Sequence, residues 1–172
     1  VTRGGNIIAV QLDNEIGMLS WFSNSPDLTD GVLEDFAAWL KERYSAAELA
    51  ARYPFDTENA DARRDAVRSP KESYAAALMR DLGRFMRSRF ARYAAALRSY
   101  AEEFGVRDVP FVVNIHGTSG GRGFTFPIGI SQLYESYTQA PGYLSGSDIY
   151  FGDLDMQTFQ DLYIINGFMD AV

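Results

Sequence analysis

The run Ile7-Ile-Ala-Val10, which passes at once into Gln11-Leu-Asp-Asn-Glu15, constrains this chain more than any other stretch. A short, mostly β-branched apolar run is the pattern of a strand buried in a parallel sheet. Such a strand holds whatever follows it rigidly at its carboxyl end. Here that is an Asn-Glu pair, Asn14 and Glu15, presented where a side chain can do chemistry.

The rest of the chain alternates helix with strand. Leu28-Thr-Asp30 precedes a segment over 31–44 in which Val32, Leu33, Phe36, Trp39 and Leu40 recur at helical spacing, which predicts an amphipathic helix. Ser45-Ala-Ala-Glu48 has the form of a capping box, and Pro54 follows the expected end of that second helix. Residues 55–70 are polar with prolines near their margins and read as a surface excursion. A long helix is expected from Pro70 to Phe104, with Gly105 as its left-handed stop. Val109-Pro-Phe-Val-Val-Asn-Ile115 then reads as the next strand, ending in His116 and a glycine-rich loop. A third strand is expected at Asp148-Ile-Tyr-Phe-Gly152, and a helix within 156–172. Strands of this length, each followed by helix or loop, predict a parallel α/β fold.

The opening segment resembles a signature of retaining glycoside hydrolases of the barrel type, families 35 and 42, which include β-galactosidases. Gly4, Gly5, Ile7, Ile8, Gln11, Asn14 and Glu15 match the family 35 pattern. Asn6 stands in place of its Pro, Asp13 of its first Glu and Ile16 of its aromatic residue. Gln11-Leu-Asp-Asn-Glu-Ile-Gly17 is equally similar to the corresponding family 42 stretch. The resemblance implies an α/β fold that is part of a (β/α)8 TIM barrel, about strands 4 to 6, with residues 28–104 as a helical insertion after strand 4. A complete barrel takes roughly 250 residues. The expectation is therefore that residues 1–172 are a fragment of one catalytic barrel domain, inactive by itself, with the insertion covering a barrel face or forming an oligomer contact.

The same resemblance implies a site. A retaining glycosidase needs one carboxylic acid to protonate the departing oxygen and a second carboxylate, roughly 5 Å away, to attack the anomeric carbon. Glu15 is implied as the acid/base and Asn14 as the contact to the sugar 2-hydroxyl. The nucleophile would lie on a seventh strand, to which no residue here corresponds. Asp13 lies two positions before Glu15, so an ideal strand would aim both at one face, and it reads as a structural or sugar-contacting carboxylate. The activity implied is hydrolysis of terminal β-glycosidic bonds in a β-galactoside-like carbohydrate. The alternative is a non-catalytic carbohydrate-binding or helical interaction protein built on part of a barrel.

Further candidates sit at the ends of the other strands, where barrel loops face substrate. Asn114 and His116 read as sugar-binding groups or structural hydrogen-bonders, and Tyr150 and Asp153 as groups that orient the missing nucleophile or bind hydroxyls, as core packing or as a helix cap. Trp21 and Phe22 suit either stacking on a sugar or packing under the helical insertion. Gly117-Thr-Ser-Gly-Gly-Arg-Gly123 lacks the Lys-Ser/Thr ending of a phosphate-binding loop. No residue spacing suggests a metal site, and no cofactor is expected.

Composition narrows the partners. The net charge of −7 and pI near 4.7 argue against nucleic acid, whose phosphates bind clustered Lys and Arg. Arg80, Arg84, Arg87, Arg89, Arg92 and Arg98 spread round the long predicted helix and read as a solvated or ion-paired face. With no cysteine there is neither a disulfide nor a thiolate. No apolar run approaches the roughly 20 residues that cross a bilayer, so no membrane partner is expected.

Overall fold

A computed structural model describes residues 6–14, 27–115 and 143–147. Its elements are β1 (Val10–Gln11), α1 (Asp30–Lys41), α2 (Ala46–Arg52), α3 (Ala60–Arg68), α4 (Glu72–Glu103), β2 (Phe111–Ile115) and β3 (Tyr143–Ser147). The strands form one parallel sheet in the order β1-β2-β3. The fold class is accordingly α/β. The chain divides into two compact units, one holding residues 27–86 and the other β1, the second half of α4, β2 and β3.

In the helical unit the spacing of α1 does what its pattern predicts. Val32, Leu33, Phe36, Trp39 and Leu40 are all buried, and Ala37 joins them. Phe36 meets Phe85 of α4 with ring centroids 5.1 Å apart, and Trp39 lies edge-on to the same ring at 6.2 Å. Aromatic contacts at this range add modestly to the area they bury. The capping box closes as expected. Glu48 N–H donates to Ser45 Oγ at 3.3 Å, while Ser45 N–H donates to Glu48 Oε2 at 2.7 Å.

The polar stretch 55–70 is a correction: it is no mere surface excursion but contains a helix, α3. Asn59 caps it, accepting Ala62 N–H at 3.0 Å, and a stripe of Arg63, Ala66 and Val67 is buried. Val67 and Ala66 are the buried apolar residues of that narrow contact, so the low hydrophobic content concealed an ordinary amphipathic pattern. Arg64 binds Asp30 of α1, and Lys41 Nζ lies 2.6 Å from Glu58 Oε2.

In the sheet unit, Val10 aligns with Phe111 and Gln11 with Val112. Phe111, Val113 and Leu12 are buried, whereas Gln11 is exposed, the alternation a pleated strand imposes. From α4, Arg98 lies over the Phe111 ring at 5.5 Å and donates to Glu102 Oε1 at 2.7 Å. Of the arginines expected on a solvated face, Arg80, Arg84 and Arg92 are exposed, and Arg87 and Arg89 are half-buried.

α4 ends at Gly105 with φ +90°, where Gly105 N–H bonds Glu102 O and Val106 N–H bonds Ala101 O. This paired closure needs a left-handed residue, which explains the glycine. One strand expectation needs correction. Ladder pairing in β1 covers only Val10–Gln11, and Ile7 and Ile8 are exposed, Ile8 at 88%. A described strand, β3, lies at Tyr143–Ser147, and the expected strand at Asp148–Gly152 lies outside the described residues.

Candidate functional site

Parallel pairing sends the carboxyl ends of all three strands to one edge. The β1 end carries Asp13 and Asn14, and the ladder pairs Asn114 of β2 with Gly146 of β3. Asn14 and Asn114 therefore stand at the same end of the sheet. Glu15, His116 and Tyr150 lie outside the described residues, as do Trp21, Phe22 and Asp153.

The turn after β1 has a definite construction. Asp13 is left-handed, φ +60°, a region that costs most side chains but that Asp and Asn tolerate. Its Oδ1 accepts Asn14 N–H at 2.7 Å, and its Oδ2 accepts the Tyr93 hydroxyl of α4 at 2.9 Å. Gln11 Nε2 donates to Asp13 O at 3.0 Å and to Asn14 Oδ1 at 3.1 Å. The Tyr93 phenol is raised in pKa, chiefly because the Asp13 carboxylate accepts its proton, so it stays a donor at neutral pH. This geometry makes Asp13 a structural carboxylate, one of the two readings the sequence offered. Its carboxylate is tied to the helix through Tyr93 and to the backbone N–H of Asn14.

The other carboxylate of note is Asp81, which the motif reading passed over. It is fully buried in the helical unit and accepts from Arg52 Nε at 2.7 Å, Arg52 Nη2 at 3.1 Å, Tyr53 Oη at 2.5 Å and Tyr44 Oη at 2.9 Å. Burial first, then the bond to Asp81, pushes the Tyr53 and Tyr44 phenols up, while Asp81 pushes the Arg52 guanidinium up. Four donors saturate the carboxylate, which marks a structural anchor. A signal existed: Asp81 interrupts the apolar stripe Tyr74, Leu78, Leu82, Phe85, where an acid must find partners.

A groove of about 970 Å³ lies between the last turns of α4 and the start of β2, lined by Arg98, Glu102, Arg107, Asp108 and Phe111 among others. It is at the amino end of the sheet, away from Asn14 and Asn114. Among the described residues no cluster of His, Cys, Asp or Glu could hold a metal ion, and no helix is long and apolar enough to cross a membrane.

No protein-family model matches the chain, and no solved structure does. A curated protein described as Beta-1,2-glucosyltransferase, from Ignavibacterium album, is 27% identical over 150 residues. The match covers 84% of this chain but 20% of that relative's length. It corrects the expectation of a β-galactosidase-like hydrolase, because the reaction named for the relative is glucosyl transfer. The physical reason is that an Asn-Glu pair after a strand concerns the bond that breaks and says nothing of whether water or a sugar accepts the glycosyl group.

Proposed function

We propose that this chain is a segment of a carbohydrate-active enzyme that transfers glucosyl groups to a sugar hydroxyl. The observation that carries the reading is the similarity to a glucosyltransferase along 84% of the chain. The barrel belongs to the same proposal: sequential parallel strands in the order β1-β2-β3, with the helices α1 to α4 between β1 and β2, suit a segment of a (β/α)8 barrel. In such a barrel the carboxyl end of the strands is the substrate end. The resemblance at Gly4–Glu15 to families 35 and 42 supports that placement of the chemistry.

In the proposed reaction Glu15 gives its proton to the departing oxygen while a carboxylate not assigned in this chain bonds the anomeric carbon. Glu15, now ionised, then takes the proton of the incoming sugar hydroxyl as that oxygen displaces the carboxylate. Two displacements retain the anomeric configuration. Asn14 holds the sugar 2-hydroxyl, and Asn114 contacts the sugar from the neighbouring strand. His116 and Tyr150 are further proposed contacts. Water competes at every turnover, so transfer requires a bound acceptor whose effective concentration exceeds that of solvent.

The test uses the full-length protein that contains this chain, given a glucoside donor with and without a sugar acceptor. Disaccharide formation that depends on acceptor, with little free glucose, is expected. Glu15→Gln should slow transfer from donors with poor leaving groups by about 10²–10⁴-fold and from activated aryl donors far less. Acceptor-independent release of glucose, or a strict requirement for a nucleotide-activated donor, overturns the reading.

A further inference from the structure

The turn that follows β1 is held by a helix residue 80 positions away in sequence, Tyr93. We propose that Tyr93 is a positioning residue for the sugar site: its phenol, donated to Asp13, locks the left-handed turn that presents Asn14 and leads into Glu15. The inference rests on the proposed sugar-transfer site, and it adds a residue that no motif marks.

The lock has three parts that converge on one residue. Asp13 sits at φ +60°, which an unrestrained chain visits rarely, so something must keep it there. One carboxylate oxygen takes the next backbone N–H, at 2.7 Å, and the other takes the Tyr93 hydroxyl, at 2.9 Å. Gln11 spans the same turn from the strand, bonding Asp13 O and Asn14 Oδ1. The first and third are local and move with the turn. Tyr93 alone among these donors is anchored in a different element, the 32-residue α4, and so fixes the turn against the sheet unit's framework. A ligand group must be held within a fraction of an ångström to act on a reacting bond, and such support is what a locked neighbour supplies.

Tyr100, two turns further along, is 60% exposed and serves as a control on the same helix. Asp13 is also the right residue for the task, since a carboxylate can accept both donors at once and tolerates the left-handed region.

The experiment compares Tyr93→Phe, Asp13→Asn, Asp13→Ala and Tyr100→Phe in the full-length protein. Tyr93→Phe keeps the ring and deletes the hydroxyl. Its kcat for transfer should fall about tenfold with KM within twofold, while the thermal midpoint stays close to that of the parent. Hydrogen exchange over residues 6–14 should quicken. Asp13→Asn, which keeps an acceptor oxygen and the left-handed tolerance, should retain more kcat than Asp13→Ala, and Tyr100→Phe should match the parent. Exchange is read without substrate, so the lock is tested even if the protein transfers no sugar. Unchanged exchange in Tyr93→Phe overturns the lock itself. Quicker exchange with kcat unchanged, or a fall in thermal midpoint that accounts for the lost activity, overturns its service to the site.

Discussion

Asp81 illustrates how far a single side chain can set local stability. It has no exposed surface, and its four donors come from Arg52, Tyr53 and Tyr44. Removing one partner of a buried ion pair costs about 3–5 kcal/mol, because the other charge is stranded. The Arg52 side chain remains 26% exposed and can recover some water, so Asp81→Ala should cost about 3 kcal/mol, read from the urea midpoint of Trp39 fluorescence. The phenols respond to pH. Burial, then Asp81, raises the folded pKa of Tyr53 above the ordinary value of about 10. That stabilisation is complete below the unfolded pKa and is lost as pH rises through the folded one. Unfolding should therefore become easier above about pH 10, and Tyr53→Phe should flatten that alkaline limb while costing roughly 1 kcal/mol at neutral pH. An alkaline limb equally steep in the variant would show that Tyr53 does not carry it. At this scale the sequence disclosed Asn14 as a candidate but not the left-handed Asp13 or its bond to Tyr93, since neither dihedral nor helix contact has a sequence signature.

Elements were legible where their signals are local. The α1 stripe, the Ser45–Glu48 box and the Gly105 stop are all set within a turn or two of chain, and each formed as its residues dictate. Glycine positions give a paired test. At Gly105 an added Cβ meets nothing within 4 Å, so the cost of Gly105→Ala is backbone strain at φ +90°, about 1 kcal/mol. Gly31 also has open space around it but lies in the first turn of α1 without a positive φ, so Gly31→Ala should stabilise by about 0.4–1 kcal/mol. Thermal unfolding of both variants checks the opposite signs. The α3 helix went unread because Val67 and Ala66 are its main apolar anchors, too few to stand out in a polar stretch. The start of β1 was over-read for the converse reason. Ile7 and Ile8 have strand propensity, yet propensity makes no ladder without a paired neighbour, and the described pairing begins at Val10.

For the whole molecule, the decisive facts are the parallel order β1-β2-β3 and the similarity to a glucosyltransferase over 84% of the chain. The test of whether the full-length protein depends on an acceptor belongs to this scale, because it asks what the assembled site admits and not what one residue does. The segment Gly4–Glu15 pointed to carbohydrate chemistry but led to hydrolysis, since the partner that accepts a glycosyl group is chosen by surfaces that a strand motif does not encode. By itself the sequence determined α1, α2 and α4, the Ser45–Glu48 capping box, the Gly105 stop and the alternation of strand with helix, because hydrogen bonds and periodicity over a few residues specify them. Only the tertiary structure decided that Asn14 and Asn114 share one end of a sheet, that Tyr93 reaches Asp13, and that Asp81 is enclosed by Arg52, Tyr44 and Tyr53. Those pairings join residues from 28 to about 100 positions apart, and their register is set by how whole elements pack, which no local pattern contains.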